Sequence, residues 1–304
     1  MMNILNNEPS EYSTHAIEIL QTVGIYYENP TNEPIQVIIT RLKEVIDHRF
    51  LDRFPDLKFI LTATTGLDHI DQLECQKRSI RIISLQGEYQ FLQSIPATAE
   101  HTITLMLSLF RNIPSAVADV KNGIWNRMEH KGNELKGKTL CILGMGRIGI
   151  QVANIASAFG MNIRSFDNKY TGDYFSSTNL NEALKGSDIL SIHLPYNQET
   201  HELIGKNQIS QMNSGIHLIN TSRGQIIKEP DIVDCLLNGK VRGVAVDVLA
   251  TEYDLGNSAL WNYSQTTNDP HVIITPHIGG CTYESMAATE VFIAKKFLDS
   301  LDRA

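Results

Sequence analysis

Cysteine is sparse in this 304-residue chain. Cys75, Cys141, Cys235 and Cys281 form no CxxC pair and lack the density of a disulfide-stapled secreted domain. Reduced thiols in a cytoplasmic protein are the expectation. No stretch approaches the roughly 20 apolar residues of a membrane span, and residues 1–13 have neither a basic lead nor a long apolar run, so no targeting segment and no membrane partner are expected. Positive charge is in deficit: 26 Lys and Arg stand against 34 Asp and Glu, a net charge of -8, the wrong sign for a general binder of nucleic acid. No His or Cys cluster has metal-ligand spacing, and there is neither an internal repeat nor a low-complexity tract. A small-molecule enzyme or a protein-binding module remains.

With 42% hydrophobic and 20% charged residues, the chain has room for about two domains, each with its own core. Up to residue 84, short β-branched apolar runs at 3–5, 24–28, 36–40, 57–62 and 80–84 alternate with amphipathic stretches at 15–22 and 71–77. That alternation predicts βα units and a parallel sheet. A long apolar helix is expected over 96–121, broken or kinked at Pro114. A second series of strands follows at 139–143, 161–166, 188–194, 215–220, 241–246 and 271–275, with helices between them, as a doubly wound sheet requires. The boundary between the two series is expected near 113–121. A last helix is expected over 282–301.

The run Lys138-Thr-Leu-Cys-Ile-Leu-Gly144-Met-Gly146-Arg147-Ile148-Gly149 is an apolar strand, a GxGxxG turn and the start of a helix with apolar Val152, Ile155, Ala156 and Phe159. In that setting Gly144 permits the tight turn, Gly146 lets backbone amides reach a pyrophosphate, and Gly149 allows helix to pack on strand. Asp167 ends the next strand, 23 positions after Gly144. A carboxylate there accepts hydrogen bonds from ribose hydroxyls and repels a 2′-phosphate, which points to NAD rather than NADP. Lys169 is the nearby residue that would soften that preference.

Ligands of open α/β sheets bind beyond the carboxyl ends of the strands. Three ends carry chemistry: Asn220-Thr221-Ser222-Arg223-Gly224, Asp247 followed by Glu252, and Thr275-Pro-His277-Ile-Gly279-Gly280. His277 can exchange a proton with a substrate hydroxyl as a hydride moves, because imidazole titrates near neutral pH. Glu252 beside it would orient the ring, and Arg223 offers a planar fork for a carboxylate and its neighbouring carbonyl. Asp247 is better placed for the nicotinamide carboxamide than for chemistry. Arg147, Ile148, His193, Pro195, Thr221 and Gly279 are further candidate cofactor contacts, while His101 is expected to pack in the long helix. Arg41, ending a strand, is expected either to reach a second anionic group or to stand as a solvated charge.

The chain resembles the D-2-hydroxyacid dehydrogenase family from Phe59 to Met286. The resemblance is carried by Thr64-Thr65-Gly66-Leu67-Asp68-His-Ile-Asp71, Ala99-Glu-His-Thr102, Arg111-Asn-Ile-Pro114, Gly123-Ile-Trp125, Gly144 to Gly149, Asn220 to Gly224, Asp247-Val-Leu and Thr275 to Gly280. It implies an α/β architecture of two doubly wound parallel-sheet domains. A Rossmann cofactor domain (113–280) is inserted into a flavodoxin-like substrate domain (1–112 plus 281–304), usually in a homodimer. It implies an Arg223, Glu252, His277 active site, with the backbone of Thr65, Gly66 and Leu67 on the substrate carboxylate. The implied activity is NAD-dependent interconversion of a 2-hydroxy acid and its 2-keto acid. Tyr253 stands where the family usually has Pro. The competing expectation is a dinucleotide-sensing scaffold on the same fold, since function resides in the site and not in the fold.

Overall fold

The structure is a computed structural model describing residues 1–267 and 269–301. The strands are β1 (Met2–Asn6), β2 (Gly24–Tyr27), β3 (Val37–Thr40), β4 (Phe59–Thr62), β5 (Arg81–Ile83), β6 (Thr139–Leu143), β7 (Asn162–Phe166), β8 (Phe175–Ser177), β9 (Ile189–Ile192), β10 (Ile216–Asn220), β11 (Val241–Val246) and β12 (Val272–Ile274). The helices are α1 (Thr14–Gln21), α2 (His48–Asp52), α3 (Gln72–Lys77), α4 (Tyr89–Leu92), α5 (Ala97–Phe110), α6 (Ile113–Lys121), α7 (Arg147–Ala158), α8 (Leu180–Leu184), α9 (Lys206–Ser210), α10 (Glu229–Leu237), α11 (Ala259–Thr267) and α12 (Tyr283–Leu301).

They form two compact units, Met1–Ile95 with the segment from Cys281, and Pro96–Gly280. Each holds an all-parallel sheet, of order β2-β1-β3-β4-β5 in the first and β12-β11-β10-β9-β6-β7-β8 in the second. The first is the doubly wound order of flavodoxin-like folds, and the second the Rossmann arrangement. Burial explains the strand sequences. Central strands such as β3 (Val-Ile-Ile-Thr) and β10 (Ile-His-Leu-Ile-Asn) are buried at every position, so they read as continuous apolar runs. Edge strands β5, β8 and β12 are only partly covered. Strand β8 is an addition to the six expected in the second sheet: Phe-Ser-Ser has little apolar signal, and its pairing with β7 makes it a strand.

In the first unit α12 packs against α1 and β4, with Phe297 edge-on to Phe59 at 5.1 Å and Phe292 stacked on Phe91 at 4.1 Å. Glu290 of α12 is fully buried, accepts from Ser13 N at 2.6 Å and pairs with Arg41. Arg41 also stacks over Tyr12. Of the two expectations for Arg41, the solvated charge is corrected: its side chain is largely buried and pairs with a buried carboxylate.

The long helix expected over 96–121 is two helices bent by 65°. The break lies at Asn112, which adopts a left-handed conformation (φ 52°), whereas Pro114 sits in the first turn of α6, where its missing N–H costs nothing. No single described helix is long and apolar enough to cross a membrane. The buried side of α5 (Ala99, Ile103, Met106, Leu109, Phe110) packs with Leu140 and Ile142 of β6 and Val152 and Ala156 of α7. For that reason α5 belongs to the second unit, and the compact units divide at Ile95 and Pro96 instead of after 112.

Candidate active site

The order in which the chain adds strands to the second sheet reverses between β6 and β9, and a crevice opens beyond the carboxyl ends of strands at such a switch point. Gly144 follows β6 with φ +92°, a region L side chains rarely adopt, and a Cβ there would lie 2.8 Å from His193 O at the end of β9. A Cβ at Gly149 would lie 2.1 Å from Gly144 O, so α7 packs on β6 through this hydrogen alone. Gly146, the residue before α7, faces open space: a Cβ there meets nothing within 4 Å. The first amides of α7, those of Arg147 and Ile148 among them, have no intrahelical acceptor and the helix dipole adds positive potential. Burial pulls the Arg147 guanidinium below its usual pKa.

Asp167 stands directly after β7. Its Oδ2 accepts from Met145 N at 2.8 Å, and its Oδ1 from Lys169 N at 2.7 Å and Tyr170 N at 2.9 Å. The carboxylate is thus oriented by the glycine turn itself, with one lone-pair site, on Oδ2, left for a ribose hydroxyl. His193 bonds Ser191 Oγ through Nε2 at 2.8 Å, while its Nδ1 is buried without a protein partner. Burial pushes its pKa down to about 3, so the ring is neutral at working pH. Pro195 follows it on the surface.

At the other strand ends the candidate catalytic residues take their places. His277 Nδ1 lies 2.9 Å from Glu252 Oε2, both side chains about a quarter exposed (26% and 29%). Arg223 follows β10, and its turn is held by Asn220 Nδ2 donating to Arg223 O at 2.9 Å. A Cβ at Gly224 would lie 2.0 Å from the Leu249 carbonyl carbon, so the Arg223 turn rests directly on the segment leading to Glu252. Sequence reasoning passed over Glu229, which organises that segment. This buried carboxylate accepts from Ala250 N at 3.0 Å, Ser258 Oγ at 2.7 Å and Leu260 N at 3.2 Å. The only signal was an acid at the first position of a helix, which a helix dipole also explains.

Asp247 and Thr221 have internal partners. Thr221 Oγ1 lies 2.8 Å from Thr102 Oγ1. Asp247 Oδ1 accepts from Thr275 Oγ1 at 2.6 Å and Ile278 N at 2.9 Å, and Oδ2 from Gly279 N at 2.7 Å. Burial raises the pKa of this carboxyl, but these bonds and His101 outweigh it and leave it below the usual value. His101 corrects its expectation: besides packing in α5, its Nε2 reaches Asp247 Oδ1 at 3.2 Å. In the first unit, Leu67 is buried and Thr65 exposed in the loop after β4, where Thr64 Oγ1 donates to Gly66 O at 2.9 Å. Among the described residues no group of three or more His, Cys, Asp and Glu side chains is gathered as a metal ion would need.

Comparison with known proteins joins these features. Residues 103–279 match the family model for the D-isomer specific 2-hydroxyacid dehydrogenase, NAD binding domain. The chain belongs to the D-isomer specific 2-hydroxyacid dehydrogenase family. It is 34% identical over 266 residues to a D-3-phosphoglycerate dehydrogenase of Bacillus subtilis, covering 86% of this chain and 48% of that protein. It is 29% identical to a hydroxypyruvate reductase of Thermotoga maritima, over 98% of this chain and 93% of that one. A D-lactate dehydrogenase structure from Aquifex aeolicus, complexed with NAD and lactic acid, superposes with a TM-score of 0.81 at 29% identity, covering 98% of this chain and 96% of that one. The chain spans about half the length of several curated relatives it matches (48% and 57%).

NAD is the cofactor of this family domain, and the residues suit it: open space above Gly146, helix amides behind it, and the Asp167 carboxylate one strand away. The two glycines separate binding from folding. Gly146→Ala is expected to keep the melting temperature of the parent while weakening NADH binding, read by fluorescence titration, by roughly tenfold or more, because its methyl enters the space above the turn. Gly149→Ala is expected to lower the melting temperature by several degrees, since its methyl meets backbone.

Proposed function

We propose that this chain is an NAD-dependent oxidoreductase interconverting a D-2-hydroxy acid and its 2-keto acid. The observation that carries the reading is the 2.9 Å pair of His277 and Glu252, on the ends of neighbouring strands in the unit that holds the dinucleotide turn. NAD, when bound, supplies the hydride acceptor for oxidation, and NADH the donor for reduction. Because a carboxylate can only accept, His277 Nδ1 carries a proton toward Glu252, which leaves Nε2 to exchange a proton with the substrate oxygen. Arg223 is assigned the substrate carboxylate and the adjacent carbonyl, which its fork grips in two hydrogen bonds while polarising the C=O. The backbone of Thr65, Gly66 and Leu67 is assigned to the same carboxylate on the family resemblance.

Gly144, Gly146, Arg147, Ile148 and Gly149 are assigned the pyrophosphate side, Asp167 the adenosine ribose, and His193, Pro195, Thr221, Asp247 and Gly279 the wall of the cofactor cleft. In this reading the first unit is the substrate domain. The protein works in the cytoplasm, in keeping with its four free cysteines. A homodimer is supported by an exposed apolar stripe of Ile113, Val117, Val120, Ile124 and Met128 around Trp125, itself 89% exposed.

The test is NADH absorbance against a panel of 2-keto acids, including phosphorylated and dicarboxylic members. At least one acid is expected to support turnover with the D-hydroxy acid as product. Tight NADH binding with no turnover on any acid would replace this reading with a dinucleotide-sensing scaffold.

A further inference from the structure

Two consecutive side chains of α5 reach the turns that carry the candidate catalytic residues. Thr102 Oγ1 meets Thr221 Oγ1 at 2.8 Å, both buried, just ahead of Arg223. His101 Nε2 lies 3.1 Å from Thr275 Oγ1 and 3.2 Å from Asp247 Oδ1. Asp247 in turn gathers the whole turn around His277. Its carboxylate takes Thr275 Oγ1, Ile278 N and Gly279 N, and its backbone carbonyl takes His277 N at 2.9 Å.

This turn requires a restraint. His277 has φ 54°, in the left-handed region where an L side chain costs about 1–2 kcal/mol. Released from its ties, the segment relaxes toward ordinary backbone, and the imidazole leaves Glu252. The ties are crowded on one carboxylate, so what orients that carboxylate orients His277. Asp247 only accepts when ionised, so the proton of the His101 ring resides on Nε2 and points at the Asp247–Thr275 pair.

We propose that His101 is a positioning residue for the reaction: by fixing Asp247 and Thr275 it holds the turn that aims His277 at Glu252 and at the substrate. This rests on the acid/base role of His277 proposed above. His101 is a partly buried side chain (16% exposed) on a helix anchored by its own apolar side, so its replacement by a residue of similar bulk leaves the packing in place.

The test compares His101→Leu, which keeps bulk and loses the donor, with His101→Gln, whose amide restores an N–H at similar reach. His101→Leu is expected to lower kcat by about 10- to 100-fold, as a misplacement of about 1 Å does, with KM for the keto acid within about twofold. His101→Gln recovers most of the loss. In protein free of cofactor, the Cε1–H resonance of His277, assigned by its disappearance in His277→Asn, moves in His101→Leu and returns in His101→Gln. Unchanged kcat together with an unmoved His277 resonance in His101→Leu overturns the proposal. If the parent turns over no keto acid, the reading of the function fails while the resonance still decides whether His101 positions His277. Should His101→Leu not fold, His101→Asn, whose amide stops short of Asp247, takes its place: the same losses support the proposal and parental behaviour overturns it.

Discussion

His277→Asn is expected to lower kcat for reduction of a 2-keto acid by about 10²–10⁴, the usual contribution of a positioned acid/base group. NADH binding and the melting temperature stay close to the parent. Asparagine retains a polar group that can face Glu252 but cannot take up and release a proton near neutral pH, so the chemistry is lost while the loop keeps a partner. The turn also tolerates the change, because Asn is among the residues best suited to the positive φ at this position. Steady-state kinetics beside a fluorescence titration of NADH separates the two effects. A variant that binds NADH weakly and still turns over at the parental rate contradicts the acid/base assignment.

Arg223→Ala is expected to cost about as much in kcat/KM. Two charge-assisted hydrogen bonds at roughly 1.5–3 kcal/mol each correspond to about 10²–10⁴. The guanidinium donates to Ser222 O at 2.7 Å, but the turn has other supports: Asn220 Nδ2 holds Arg223 O, and Gly224 seats the backbone against Leu249. Stability should therefore fall by no more than the loss of that one bond, about 1.5–3 kcal/mol. Arg223→Lys restores little, since a point charge on a flexible stem cannot grip a carboxylate in two places. Equal activity in Arg223→Ala, measured on the best acid of the panel, removes Arg223 from the site.

The legible parts of this protein are those where one local rule dominates. Largely buried strands announce themselves as apolar runs, and β6, β10 and β11 lie within a residue of their sequence limits. The glycine turn was readable for a similar reason, as each glycine answers a separate steric demand. Strand β8 escaped because an edge strand needs a neighbour more than it needs apolar side chains. The helix break was misplaced by two residues: proline is the loud signal, yet its ring suits a helix start, and the quieter Asn112 makes the left-handed turn.

Chain chemistry alone determined which groups this protein has available: a dinucleotide turn, an acid one strand later, and an Arg, a Glu and a His placed at strand ends. It could not decide their partners, because a hydrogen bond between residues far apart along the chain leaves no periodicity behind. Arg41 as the partner of buried Glu290, Glu229 as the hub of the segment bearing Glu252, and His101 on Asp247 are all of this kind. Each joins a buried charge or a buried polar group to groups that folding brings within reach, and only the folded chain specifies which groups those are.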